Sequence, residues 1–344
     1  MTGVQTCALP IWFLNTNQVR IYEFKNDNLY PITSVSLGTN ATLFSMKWHP
    51  SGNFLALGSY NAGAVGTFPA GNNLRIYSFD GTALNEVISR NPAYTVMGVD
   101  WSHDGQYIAI GTFNCPSDYP DNPESHNAYG PGKLRIYEFQ NYSALIQKAI
   151  YPGASDPRGF FGVSWGPDNR YLTANYTEGD ATWSGSRTAS FAFSGTDIIK
   201  FNDFAGGYSD IAGISEVKIS PDGQSVASVY LRGRWEWTIA GKLLIANFFD
   251  SINPPSNVPT QSFPPFTGNF QAWSVSWSPT GKYLAVGYFN PEDSSVPQIT
   301  IYKINNKTDI LRSDYNGLEL GKYVDINVLS GAMVNINGIV NYAK

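Results

Sequence analysis

Apolar and polar positions alternate along this chain in short runs, and the runs return in a fixed order. The phrase MKWHPSGNFLALGSY (46–60) comes back as VDWSHDGQYIAIGTF (99–113), VSWGPDNRYLTANYT (163–177), VKISPDGQSVASVYL (217–231) and VSWSPTGKYLAVGYF (275–289). Each copy is an apolar-aromatic run, a Ser-Pro-Thr-Gly-like tetrad and a second apolar run, which predicts two strands about a tight turn. Pro presets the backbone at the second turn position, and Gly or Asn accepts the positive φ needed to leave it. His103 takes the Pro position in its copy, and Asn169 the Gly position in its own.

A second phrase follows each copy: LRIYSFDG from Leu74, LRIYEFQN from Leu134, RTASFAFSG from Arg187, KLLIANFFD from Lys242 and ITIYKINN from Ile299. It alternates as a third strand, and runs such as ALNEVIS (83–89) and ALIQKAI (144–150) supply a fourth. No amphipathic helical period of useful length interrupts them. The anchors Trp48, Trp101, Trp165, Ile219 and Trp277 lie 53, 64, 54 and 58 residues apart. Four antiparallel strands in a repeat of roughly 40 to 50 residues is the pattern of a propeller blade. Such a unit cannot bury both faces alone, so copies stack. One orphan phrase, VRIYEFKN from Val19, precedes the first full copy.

The W-S-P-D-G-like turn, the Y-L-A-V-G run after it and the L-R-I-Y-x-F strand are similar to the repeat phrase of the WD40 repeat superfamily, over residues 13–315. The resemblance implies an all-β fold, a β-propeller of four-stranded antiparallel blades. Five full blades plus an N-terminal half blade are expected in this chain, and six or seven blades in the intact protein. The repeats depart from that family in lacking its Gly-His dipeptide, and Ile-Tyr replaces its Trp-Asp in four copies.

Residues 1–11 have no counterpart in any repeat, and Trp12 stands where the aligned copies have Gly111 and Gly287, so 1–12 are set apart. VQTCALPI (4–11) resembles the translation of a sequencing-library adapter, so this stretch is read as non-native. Cys7 goes with it, which leaves Cys115 without an intrachain disulfide partner. Residues 316–344 keep β-like alternation without the Trp or the Pro-Gly turn. They are expected to be a degenerate blade, the strand that closes the ring, or the start of another domain.

Composition agrees with a large all-β domain: 42% of the 344 residues are hydrophobic and 15% aromatic, with 33 Gly and 21 Pro. A net charge of −5 without basic clusters argues against a nucleic-acid partner. There is no apolar run long enough to span a bilayer. A monomer is expected, and low Lys content with one native Cys favours a secreted or cell-envelope location over the cytoplasm.

By the same resemblance the short turns lie on one face and the long second-to-third-strand loops on the other. Those loops (59–73, 113–133, 177–186, 231–241 and 289–298) differ in every copy and carry Tyr60, Phe68, Tyr119, Tyr129, Trp183, Trp235, Trp237 and Phe289, with Arg232 and Arg234. Aromatic and Arg side chains concentrate at binding hot spots, and loops on a rigid scaffold carry binding. Catalysis finds less support. The chain has three His, no metal-ligand spacing, and only Cys115 with His126 as an imaginable nucleophile and base. Asp118, Asp121 and Glu124 match no calcium loop. The expectation is therefore a non-enzymatic scaffold that binds a protein or peptide, without cofactor or metal. A carbohydrate-binding, lectin-like propeller is the alternative, with a propeller hydrolase or lyase third.

Overall fold

The computed structural model describes residues 6–11, 18–25, 28–38, 41–61, 72–92, 95–113, 132–151, 157–178, 186–205, 214–230, 242–247, 261–263, 271–289, 299–306, 309–315, 333–336 and 339–342. Among these residues there is no helix, and the fold is all-β and consistent with a propeller. Strands β1 (Thr6–Ile11), β2 (Gln18–Lys25) and β3 (Asn28–Ser36) pair antiparallel in chain order. The first four-strand meander follows, as β4 (Ala41–Trp48), β5 (Phe54–Asn61), β6 (Leu74–Phe79) and β7 (Leu84–Arg90).

The same order returns in β8 (Thr95–Trp101), β9 (Tyr107–Phe113), β10 (Leu134–Gln140) and β11 (Ala144–Tyr151). It returns again in β12 (Pro157–Trp165), β13 (Tyr171–Glu178), β14 (Ser186–Phe193) and β15 (Ile198–Ala205). The next set is β16 (Ile214–Ile219), β17 (Ser225–Tyr230), β18 (Lys242–Asn247) and β19 (Gln261–Phe263). The last is β20 (Gln271–Trp277), β21 (Tyr283–Phe289), β22 (Ile299–Asn306) and β23 (Asp309–Tyr315), after which β24 (Met333–Ile336) pairs with β25 (Ile339–Tyr342).

The turn between the first two strands of each repeat is built the same way five times. The residue after the anchor accepts a hydrogen bond from the amide three residues on: Gly52 to His49, Gly105 to Ser102, Asn169 to Gly166, Gly223 to Ser220 and Gly281 to Ser278. All five donors sit at positive φ, the four glycines between 68° and 75° and Asn169 at 59°. Glycine populates that region without a Cβ penalty, and Asn is the side chain that tolerates it best. Asp104, Asp168 and Asp222 fix the turn further, each accepting the amide two residues later through Oδ1.

Two compact units appear, the first running to Phe161 and the second from Gly162, with Ser194–Ile198 grouping with the first. Within the first, Leu55 and Leu57 pack against Val19 and Ile21, while Ala56 and Ile76 on the other face pack against Val96, Val99 and Trp101. Both faces of the β5–β6 ribbon are buried, so its apolar run is nearly continuous. Within the second unit, Val229 and Leu243 meet Val275 and Trp277 in the same way.

Close stacking requires small residues where one repeat meets the next. A Cβ on Gly111 would lie 2.7 Å from the carbonyl oxygen of Phe161, and one on Gly58 would lie 2.7 Å from Val96 Cγ1. The matching position in the third repeat is Asn175, whose Nδ2 donates to the carbonyl of Glu216 at 3.0 Å. A side chain is tolerated there because it satisfies a carbonyl of the facing strand.

Candidate binding site on the first strands

The first strands do not keep a strict alternation. Register shifts fall between Leu43 and Ser45, Val96 and Gly98, Ile214 and Glu216, and Ala272 and Ser274. Phe44, Met97, Ser215 and Trp273 are therefore the extra residues of four bulges, each four positions before its anchor. A bulge adds one residue on one strand and re-aims its side chain. In β4 the core takes Leu43, Met46 and Trp48, so Phe44 and Ser45 both stay off it. Phe44 is left 40% exposed, an aromatic on a strand whose neighbours are otherwise buried or polar.

Polar groups follow directly after the bulge in the first unit. Ser45 Oγ accepts the amide of Val99 at 3.1 Å, and the carbonyl of Lys47 accepts the indole N–H of Trp101 at 3.2 Å. Between these bonds Lys47 Nζ lies 3.3 Å from Asp100 Oδ1, with the Asp100 side chain 5% exposed and that of Lys47 38%. A buried carboxylate is tolerated only with such a partner, and removing one member of a buried pair is costly. The pair is thus fixed at one end and open to solvent at the ammonium.

The second unit carries the corresponding arrangement by itself. Glu216 Oε2 accepts the amide of Val275 at 3.0 Å, Lys218 Nζ lies 3.0 Å from Glu216 Oε1, and the carbonyl of Lys218 accepts the indole N–H of Trp277 at 3.1 Å. Nearby, Thr188 Oγ1 donates to Asn175 Oδ1 at 2.7 Å, and Ser228 Oγ lies 3.0 Å from Thr188 Oγ1 and 3.1 Å from Asn175 Oδ1. Asn175, Thr188 and Ser228 are all buried, so this cluster is closed and holds one repeat to the next.

Of the loop residues expected to bind, Tyr60 is half-buried on β5 opposite Thr42, and Phe289 closes β21 opposite Gln271. Phe68, Tyr119, Tyr129, Trp183, Arg232, Arg234, Trp235 and Trp237 lie outside the described residues, as do Cys115, Asp118, Asp121, Glu124 and His126. His49 is a turn residue, with Nε2 donating to the carbonyl of Gly105 at 3.0 Å and Nδ1 accepting the amide of Ser51 at 3.1 Å. Its ring meets Trp101 edge-on at 4.9 Å. Burial holds its pKa below the ordinary value, against the opposing pull of the Gly105 bond and the Asp104 charge.

The first-strand residues escaped the sequence reading. A signal was present: the apolar positions Leu43, Met46 and Trp48 step by three and then two, as do Val96, Val99 and Trp101. That break in period marks the bulge. The Lys47–Asp100 pair has no local spacing to betray it, because its members come from different repeats.

No protein-family model matches the chain, and no curated protein matches it. Solved structures do resemble it. One is a "putative 6-phosphogluconolactonase" from Bacteroides uniformis, with a TM-score of 0.60 at 14% identity over 90% of this chain and 81% of that one. Another is hydrazine synthase from Kuenenia stuttgartiensis, with a TM-score of 0.57 at 13% identity over 83% and 70%. A third, from Desulfotomaculum acetoxidans and of unknown function, has a TM-score of 0.57 at 15% identity over 90% and 79%.

These likenesses carry the fold, and they correct one expectation. The non-enzymatic scaffold for a protein or peptide, and with it the exclusion of catalysis, is overturned by structural neighbours with enzyme names. Its physical weakness is that it weighed His count and motif spacing, whereas a propeller assembles charged groups from separate repeats. Fold alone does not separate binding from catalysis. Among the described residues no helix is long and apolar enough to cross a membrane.

Proposed function

We propose that the chain is a propeller hydrolase of the sugar-lactone class, acting at the bulged first strands of its first unit. The Lys47–Asp100 pair carries this reading. Lactone hydrolysis joins a water oxygen to the carbonyl carbon, breaks the ring C–O bond and returns the proton to the ring oxygen, giving a hydroxy acid. Charge builds on the carbonyl oxygen in the transition state, and a fixed donor there lowers the barrier. Lys47 has three N–H donors. Asp100 holds the ammonium in place, and its exposed side meets the carbonyl oxygen.

The substrate class is taken over from the Bacteroides protein's name. In the same reading the five meanders are WD40-like blades of a ring of six or seven, supported by the five turns of identical bonding. Repeats occupy residues 13–315.

The test is acid release from a panel of neutral and phosphorylated sugar lactones, D-gluconolactone among them. Turnover above buffer is expected, falling about tenfold or more in the double variant Lys47→Met with Asp100→Asn. That variant removes both charges and strands neither. A panel hydrolysed no faster than in buffer alone would sink the reading.

A further inference from the structure

Resting on that lactone reading, we infer that the site takes a neutral polyhydroxylated lactone seated with its ring on Phe44, in preference to a phosphorylated one. Two observations carry this. The bulge turns Phe44 off the core beside Ser45 and leaves it 40% exposed, three residues before Lys47 on the same strand. An exposed aromatic next to fixed polar groups suits a ligand with one apolar and one hydroxylated side. A sugar ring has both, a C–H face for the phenyl ring and hydroxyls that can accept from the Lys47 ammonium.

Charge is the second observation. Asp100 lies 3.3 Å from Lys47, so the pair offers a ligand the ammonium's donors but no net charge. The second unit repeats the device, with Lys218 3.0 Å from Glu216. Among the described first-strand side chains, each lysine thus stands beside its own carboxylate. Strong phosphate recognition uses cations whose charge is free to face the dianion. Here a phosphate would meet a cation already offset, with a carboxylate beside it. A neutral polyol meets complementary groups without that repulsion.

The experiment compares D-gluconolactone with its phosphorylated counterpart, in wild type, Phe44→Ala, Phe44→Tyr and Asp100→Asn, each checked for folding by its melting curve. We expect kcat/KM to favour the neutral lactone by about tenfold or more. Phe44→Ala should raise KM about tenfold with kcat little changed, and Phe44→Tyr should restore it. Asp100→Asn should improve the phosphorylated substrate in a salt-sensitive way, because it uncovers the Lys47 charge. A wild-type preference for the phosphorylated lactone, or an unchanged KM in Phe44→Ala, overturns the inference while the hydrolase reading stands. If neither lactone turns over, the hydrolase reading fails, and calorimetry with the unreactive neutral lactam decides the site. Binding weakened by Phe44→Ala upholds it, and absence of binding overturns it.

Discussion

The indole Nε1 of Trp101 donates to the backbone carbonyl of Lys47 at 3.2 Å, and Trp277 makes the same bond to Lys218 at 3.1 Å. Each acceptor is the residue just before the preceding repeat's anchor, so the bond sets adjacent first strands in register. Trp48 is the first anchor, and its Nε1 is buried without an acceptor among the described residues. Replacing tryptophan by phenylalanine keeps an aromatic ring and removes the donor. Trp101→Phe and Trp277→Phe should each cost about 0.5–1.5 kcal/mol, because a buried hydrogen bond between repeats is lost. Trp48→Phe should cost less, having no bond to lose. Urea midpoints of the three variants check this, and equal losses would mean that ring packing, not the indole bond, matters.

Gly111 gives a sharper test of repeat stacking. A Cβ there would meet the Phe161 and Phe160 carbonyl oxygens at 2.7 and 2.9 Å, and backbone cannot rotate away. Gly111→Ala should destabilise by about 1–3 kcal/mol, the usual cost of overpacking. At Gly58 the nearest atom is a side-chain methyl of Val96, although its carbonyl lies at 3.0 Å. Gly58→Ala should therefore be the milder change in a denaturation series.

Asn169 shows what was legible in the chain. Its place in the turn phrase marks it as the glycine equivalent, and the backbone there is at φ 59°. The turns, the four-strand order and the core anchors all follow from local chemistry, so the repeat announces them. Phe44 was missed because the inserted residue breaks the period of two, and only the three-then-two step from Leu43 to Met46 to Trp48 marks the break. Lys47 and Asp100 were missed because pairing across repeats leaves no spacing in either one. Asn169→Gly should leave stability within roughly 0.5 kcal/mol or raise it, whereas Asn169→Ala should cost about 1–2 kcal/mol for a Cβ forced into the left-handed region. Equal effects of the two would deny the positive φ.

His49 should make stability depend on pH. It is a buried ring, with Nε2 donating to Gly105 and Nδ1 accepting from the Ser51 amide. Protonating Nδ1 ends its acceptance of the Ser51 amide and leaves Ser51 Oγ, 2.8 Å away, as its acceptor. Burial lowers the folded-state pKa below the ordinary 6.5, only partly offset by the Gly105 bond and by Asp104. The unfolded chain therefore binds the proton first. The stability held above 6.5 is lost as pH falls from that value through the folded-state pKa. Urea midpoints measured on either side of the ordinary histidine value should drop on the acid side in wild type. In His49→Gln, which keeps a donor and an acceptor but does not titrate, the drop should shrink. A wild-type midpoint that rises on acidification would mean the imidazolium is the favoured form, with Asp104 rather than burial setting its charge.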